Sequence, residues 1–103
     1  MLLFAVLRLG DGAYGTAIRQ EIASRTAQDL SPGAVYTALE RLETRGYVAS
    51  WFGEPTPERG GKRKRFYRVE AAGATALNRA YRALLAMGEG QAEHLDLLER
   101  GIE

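Results

Sequence analysis

The sequence predicts a mainly α-helical chain with one small β-hairpin, an α+β fold. Three observations carry that expectation. Apolar residues recur at helical spacing before residue 47 and again after residue 70. Between these regions, residues 47–53 (YVASWFG) and 62–69 (KRKRFYRV) have no helical period and are rich in β-branched and aromatic side chains. A Pro/Gly loop at 54–61 (EPTPERGG) joins the two stretches. The chain has 103 residues, of which 46% are hydrophobic and 26% charged, so it supports one domain with a small core.

The first segment, residues 1–9, is apolar nearly all round and stops at Gly10, Asp11 and Gly12. It reads as a short helix buried on most sides, with no capping residue before it. The second helix runs from about residue 15 to 27. Ile18 and Ile22, four apart, make its apolar face, and Arg19, Gln20, Glu21 and Arg25 lie elsewhere on the wheel. The third helix has the clearest start. Ser31 is a good N-cap, and Pro32 suits the first helical position because its missing N–H would have no partner there. Val35, Leu39 and Leu42 form its buried stripe, and Gly46 ends it. Its outward face centres on Gly33, Thr37, Glu40, Arg41 and Thr44, flanked by Ala34 and Tyr36.

The hairpin follows, with its bases at the tip and on the returning strand. Alternation in KRKRFYRV makes one strand face basic and turns Phe66 inward or against the helices. The last segment, residues 71–103, is rich in Ala and Leu. Leu77, Tyr81, Leu84, Leu95, Leu98 and Ile102 share one alternating 4,3 register, the pattern of a helix that packs along a partner helix. Gly88 and Gly90 weaken its middle, where a kink or a division is expected.

Charge is unevenly placed. There are 14 Lys and Arg against 13 Asp and Glu, a net charge of +1. Six bases and no acid fall between Arg59 and Arg68, which leaves eight bases against 13 acids elsewhere, a net −5. A local positive focus of this kind suits contact with a polyanion. Cysteine is absent, which excludes disulfides, thiolate metal sites and a Cys nucleophile. His94 is the single histidine and sits among acids, as a solvated surface residue would. No strand–loop–helix surrounds a Lys to cradle phosphate. No enzyme activity, cofactor or metal is therefore expected. No apolar run approaches the length that spans a bilayer, and the opening run lacks a basic leader and a cleavage site. No membrane partner and a cytoplasmic location are expected.

Three short helices, a basic hairpin and a long helix give the order of a winged helix-turn-helix domain, a nucleic-acid-binding arrangement. In that arrangement the first turn of the third helix enters the major groove. Small Gly33 and Ala34 allow close approach, and Thr37 can bond a base edge or touch a thymine methyl. The free N–H groups after Ser31 suit a phosphate. Tyr36 can offer its hydroxyl to the backbone, and Tyr14 holds a similar place before the second helix. Lys62, Arg63, Lys64 and Arg65 supply phosphate affinity. Glu40 and Glu43 would be repelled by phosphate, so the later turns should point away.

Four stretches resemble the PadR family of bacterial winged-helix transcriptional regulators. They are Tyr14–Gly15 at the start of the second helix, SPGAVYTALERLE from Ser31 to Glu43, Gly46–Tyr47, and GGKRKRFYRVEAAG from Gly60 to Gly73. The resemblance covers roughly residues 1–85 and points to the short subfamily with a single C-terminal helix. It implies a homodimer held by the C-terminal helix together with the first helix. It also implies repression relieved by a small molecule or another signal. Some short members bind flat aromatic drugs beside a Trp on the last helix; in this chain Trp51 lies on the hairpin instead.

The expected organisation is a winged helix-turn-helix DNA-binding domain at 1–70 and a helical dimerisation segment at 71–103. The expected partner is double-stranded DNA carrying a pseudo-palindromic operator, with a small-molecule effector of unknown identity. Plainer readings stand beside these. Charge runs are usually solvated faces. Tyr36 and Tyr67 can be half-buried core edges, and Trp51 and Phe52 hairpin packing. The rival function is a winged-helix protein-interaction module whose basic hairpin binds an acidic partner.

Overall fold

The computed structural model describes residues 1–54 and 63–101. The elements follow in the expected order: α1 (Leu2–Leu9), α2 (Gly15–Thr26), α3 (Pro32–Thr44), β1 (Val48–Phe52), β2 (Arg65–Val69), α4 (Ala71–Gly88) and α5 (Ala92–Glu99). A 3-10 turn at Gly10–Gly12 joins α1 to α2. Pro55 to Lys62 and Ile102 to Glu103 lie outside the described residues.

The core forms where α1, α2, α3 and the hairpin meet. Ala5 and Val6 of α1, Ile18 and Ile22 of α2, Val35 and Leu39 of α3, Val48 of β1 and Tyr67 of β2 are all buried, with Ala13. The i, i+4 pairs read from the sequence on α2 and α3 thus face the core, and Leu42 is half-buried at its edge. α1 is covered on most sides: Ala5 and Val6 are buried, Leu2, Leu3, Phe4 and Leu9 are half-buried, and Leu7, at 57% exposure, marks its open edge.

Caps and turns fix the helix directions. Ser31 Oγ accepts a hydrogen bond from Ala34 N–H at 3.1 Å, and Pro32 opens α3. At the other end Gly46 N–H donates to Glu43 O and Tyr47 N–H to Leu42 O, both at 2.9 Å, closing the helix on a Schellman-type turn. Between α2 and α3, Arg19 Nε donates to Leu30 O at 2.7 Å, and its guanidinium lies 3.8 Å from Asp29. That pair pins the turn of the helix-turn-helix.

β1 and β2 are antiparallel, with Val48 opposite Val69, Ser50 opposite Tyr67 and Trp51 opposite Phe66. β2 is also paired on its outer side. Tyr14 bridges Phe66, and Tyr67 N–H donates to Ala13 O at 2.8 Å. This third, very short strand is absent from the sequence reading; two residues carry no period. The strand parity also differs in detail. Tyr67 enters the core at 2% exposure, and Phe66 packs half-buried between Tyr14 and Trp51. Gly73 lets α4 begin directly against the hairpin: a Cβ there would lie 2.2 Å from Tyr47 O.

The C-terminal segment divides. α4 ends at Gly88, Gly90 takes φ +76°, and α5 starts at Ala92. A left-handed backbone at Gly90 ends the hydrogen-bond ladder, so the 4,3 register of the sequence falls on two helices instead of one. The molecule is elongated, 58 × 28 × 20 Å.

Candidate nucleic-acid interface

The first turn of α3 is open. Ser31, Pro32, Gly33, Ala34, Tyr36 and Thr37 are all exposed, while Val35 in the same turn and Leu39 in the next are buried on the opposite side. The Ser31 hydroxyl is already the acceptor of the cap bond, so its role at this turn is to hold the helix start. Tyr36 is 51% exposed and leans over the start of α2; a Cβ on Gly15 would lie 3.1 Å from its hydroxyl oxygen. It therefore joins the two helices of the motif while keeping one side of its ring in solvent.

The hairpin carries two layers of cations on aromatics. On one side Tyr14 packs edge-on against Phe66 at 5.7 Å, and Phe66 stacks on Trp51 at 5.9 Å. Lys64 Nζ lies 4.4 Å above the Tyr14 ring, and the Arg68 guanidinium lies 6.0 Å from Trp51. On the other side Arg65 lies 5.5 Å from Phe52 and 5.8 Å from Tyr67. Arg63, Lys64, Arg65 and Arg68 are exposed. Both strand faces thus carry base, where the sequence reading expected one. Lys62 lies outside the described residues.

Arg65 has further partners. Its Nη2 donates to Glu43 Oε1 at 2.9 Å and its Nε to Ser50 Oγ at 3.0 Å, while Ser50 Oγ donates to Glu43 Oε2. Sequence reasoning missed Ser50, and it left Glu43 as a charge to be kept off DNA. No local pattern flags a pair 22 residues apart; only the α3–β1–β2 register brings them together. Burial pushes the neighbouring Tyr67 hydroxyl above its ordinary pKa of 10.0. The Arg65 guanidinium opposes that shift, and Glu43, Tyr36 and Glu40 add to it.

Along the face of α3 that carries Gly33 and Thr37, a groove of about 830 Å³ runs between it and α1 and α4, with Leu3, Gly33, Thr37, Arg41, Leu77 and Ala80 in its walls. Of the stripe expected to pair two chains, Leu77 is half-buried, Tyr81 is 46%, Leu84 72%, Leu95 62% and Leu98 43% exposed. Tyr81 packs edge-on against Phe4 of α1 at 5.4 Å. Ile102 lies outside the described residues. Among the described residues no His/Asp/Glu cluster could hold a metal ion, and no helix is long and apolar enough to cross a membrane.

The sequence profile of the transcriptional regulator PadR-like family matches residues 3–79, which run from α1 well into α4. The chain belongs to the PadR-like family. Solved structures of similar fold include a PadR family transcription regulator from Clostridium difficile. It is 22% identical, with TM-score 0.72 over 91% of this chain and 95% of that one. A transcriptional regulator from Clostridium thermocellum is 26% identical, with TM-score 0.68 over 85% and 83% of the two chains. A PadR family transcriptional regulator from Eggerthella lenta is 24% identical, with TM-score 0.65 over 81% and 70%. No curated protein matches the chain in sequence. The PadR-like family is one of transcriptional regulators, as the resemblance at Ser31–Glu43 and Gly60–Gly73 implied, and the α+β winged architecture is common to these structures.

Proposed function

We propose that the chain is a sequence-specific, double-stranded-DNA-binding regulator that acts as a homodimeric, cytoplasmic repressor without enzyme activity. The observation that carries this reading is the open first turn of α3 beside a basic hairpin, in a member of a transcriptional regulator family. Gly33, Ala34 and Thr37 meet base edges, with Tyr36 and Tyr14 in support, and Ser31 and Pro32 set the turn. Lys62, Arg63 and Lys64 bind phosphate. Residues 1–70 are the DNA-binding unit and 71–103 the dimerisation unit. The exposed apolar side chains of α4 and α5 support the pairing, because so much apolar surface on so small a chain favours a cover. A two-fold dimer reads a pseudo-palindrome whose half-sites lie about one helical turn or slightly more apart. A small-molecule effector would release DNA by changing the separation of the two α3 helices.

Selection of bound duplexes from a random pool at near-physiological salt tests the reading. Enrichment of a pseudo-palindrome is expected, and Thr37→Ala should relax the selected sequence by about 1–3 kcal/mol of discrimination at one position. Salt-sensitive binding without enrichment would replace it by an architectural role. No binding would favour an acidic protein as the hairpin's partner.

A further inference from the structure

By charge alone Arg65 belongs with the phosphate-binding run. Its surroundings assign it other work. The guanidinium fork, the Ser50 hydroxyl and both oxygens of the Glu43 carboxylate close a ring of three hydrogen bonds. The ring joins the last turns of α3 to both strands of the hairpin. Arg65 and Glu43 are 42% and 33% exposed, and ion pairs so open to water contribute little to stability. What such a ring supplies is direction. Buried Val48 and Tyr67 anchor the base of the hairpin, and the angle of its outer half to α3 decides whether Arg63 and Lys64 reach the duplex that the first turn of α3 enters.

We propose that Glu43, Ser50 and Arg65 form a positioning bridge that fixes the hairpin to α3 for DNA binding, with Arg65 holding Glu43 rather than a phosphate. The inference rests on the DNA-binding reading above and refines which base does what. The bridge also offsets the negative charge of Glu43 on the helix that enters the duplex. Two features separate it from a plain phosphate contact. Lysine keeps the charge of Arg65 but lacks the planar fork that bonds two acceptors at once. Neutralising Glu43 should tighten binding if its charge only repels DNA, and weaken binding if it anchors the hairpin.

The test compares Arg65→Lys, Arg65→Gln, Glu43→Gln and the Glu43→Gln/Arg65→Gln double variant in the full chain. Amide exchange of the free protein is read across β1 and β2, and affinity for the duplex enriched by the wild type is read against salt. Faster exchange in the hairpin, with core amides unchanged, is expected in each single variant. Affinity should fall about three- to tenfold in each, no further in the double variant, with the salt slope unchanged. The proposal is overturned if hairpin exchange and affinity do not move. It is equally overturned if Arg65→Gln lowers the slope by about one unit, Arg65→Lys binds normally and Glu43→Gln binds as tightly as the wild type or more so. Should the wild type bind no duplex, the DNA-binding reading fails, and hairpin exchange alone decides the bridge: faster sustains it, unchanged refutes it.

Discussion

α3 and α4 are both amphipathic helices, yet they stand in opposite conditions. On α3 the apolar stripe is covered within the chain: Val35 is 1% and Leu39 0% exposed. On α4 the stripe is largely open: Tyr81 is 46% and Leu84 72% exposed, and Met87 beside them 83%. The outer faces differ in the same way. α3 exposes small Gly33, Ala34 and Thr37, whereas α4 exposes the large apolar Tyr81, Leu84, Leu85 and Met87. One helix completes its packing in the monomer and is free to use its other face on a ligand. The other leaves its apolar stripe exposed, the surface that the proposed pairing of two chains would cover.

Substitutions can break this contrast. The largest effect belongs to Leu39→Ala, which empties the centre of the core and should cost about 2–5 kcal/mol in thermal or denaturant unfolding. Leu84→Lys with Leu98→Lys should leave the body folded by circular dichroism but monomeric by sedimentation. An unchanged dimer would show that another surface pairs the chains.

What could be read in advance follows the range of the interactions. Ser31, Pro32, Ile18 and Ile22, Val35 and Leu39, and Gly46 act within one or two helical turns, and their spacing announces them. The PadR-like string at Ser31–Glu43 adds the family. The division after Gly88 was foreshadowed by its glycines, but the 4,3 count runs across it because a period records spacing and not hydrogen bonds. Phe66 and Tyr67 are neighbours of similar size, so strand alternation leaves either parity open until Ala13 pairs with Tyr67. The Glu43–Ser50–Arg65 ring depends on strand register and on where α3 stops, which no local pattern contains.

Two smaller effects sharpen the account. DNA affinity should fall steeply with ionic strength, and Lys62→Ala with Lys64→Ala should flatten the logarithmic slope by about two units. An unchanged slope would take the hairpin off the duplex. Last, buried Tyr67 holds its proton above the ordinary value of 10.0, chiefly through burial. A raised folded-state pKa gives stability that is complete below about pH 10 and disappears as pH climbs through the folded value. Tyr67→Phe, which cannot ionise, should therefore lose less stability than the wild type between about pH 10 and 12 in urea melts. Equal losses would remove Tyr67 from the alkaline transition.

The contrast between the two helices is tested most directly by the stoichiometry of the complex. Sedimentation of the chain with its selected duplex should give two chains per pseudo-palindrome, and the Leu84→Lys/Leu98→Lys variant should bind the same duplex weakly and as single chains. A wild-type complex of one chain per duplex, or a double variant that still binds as a tight pair, would contradict the division of labour between α3 and the C-terminal helices.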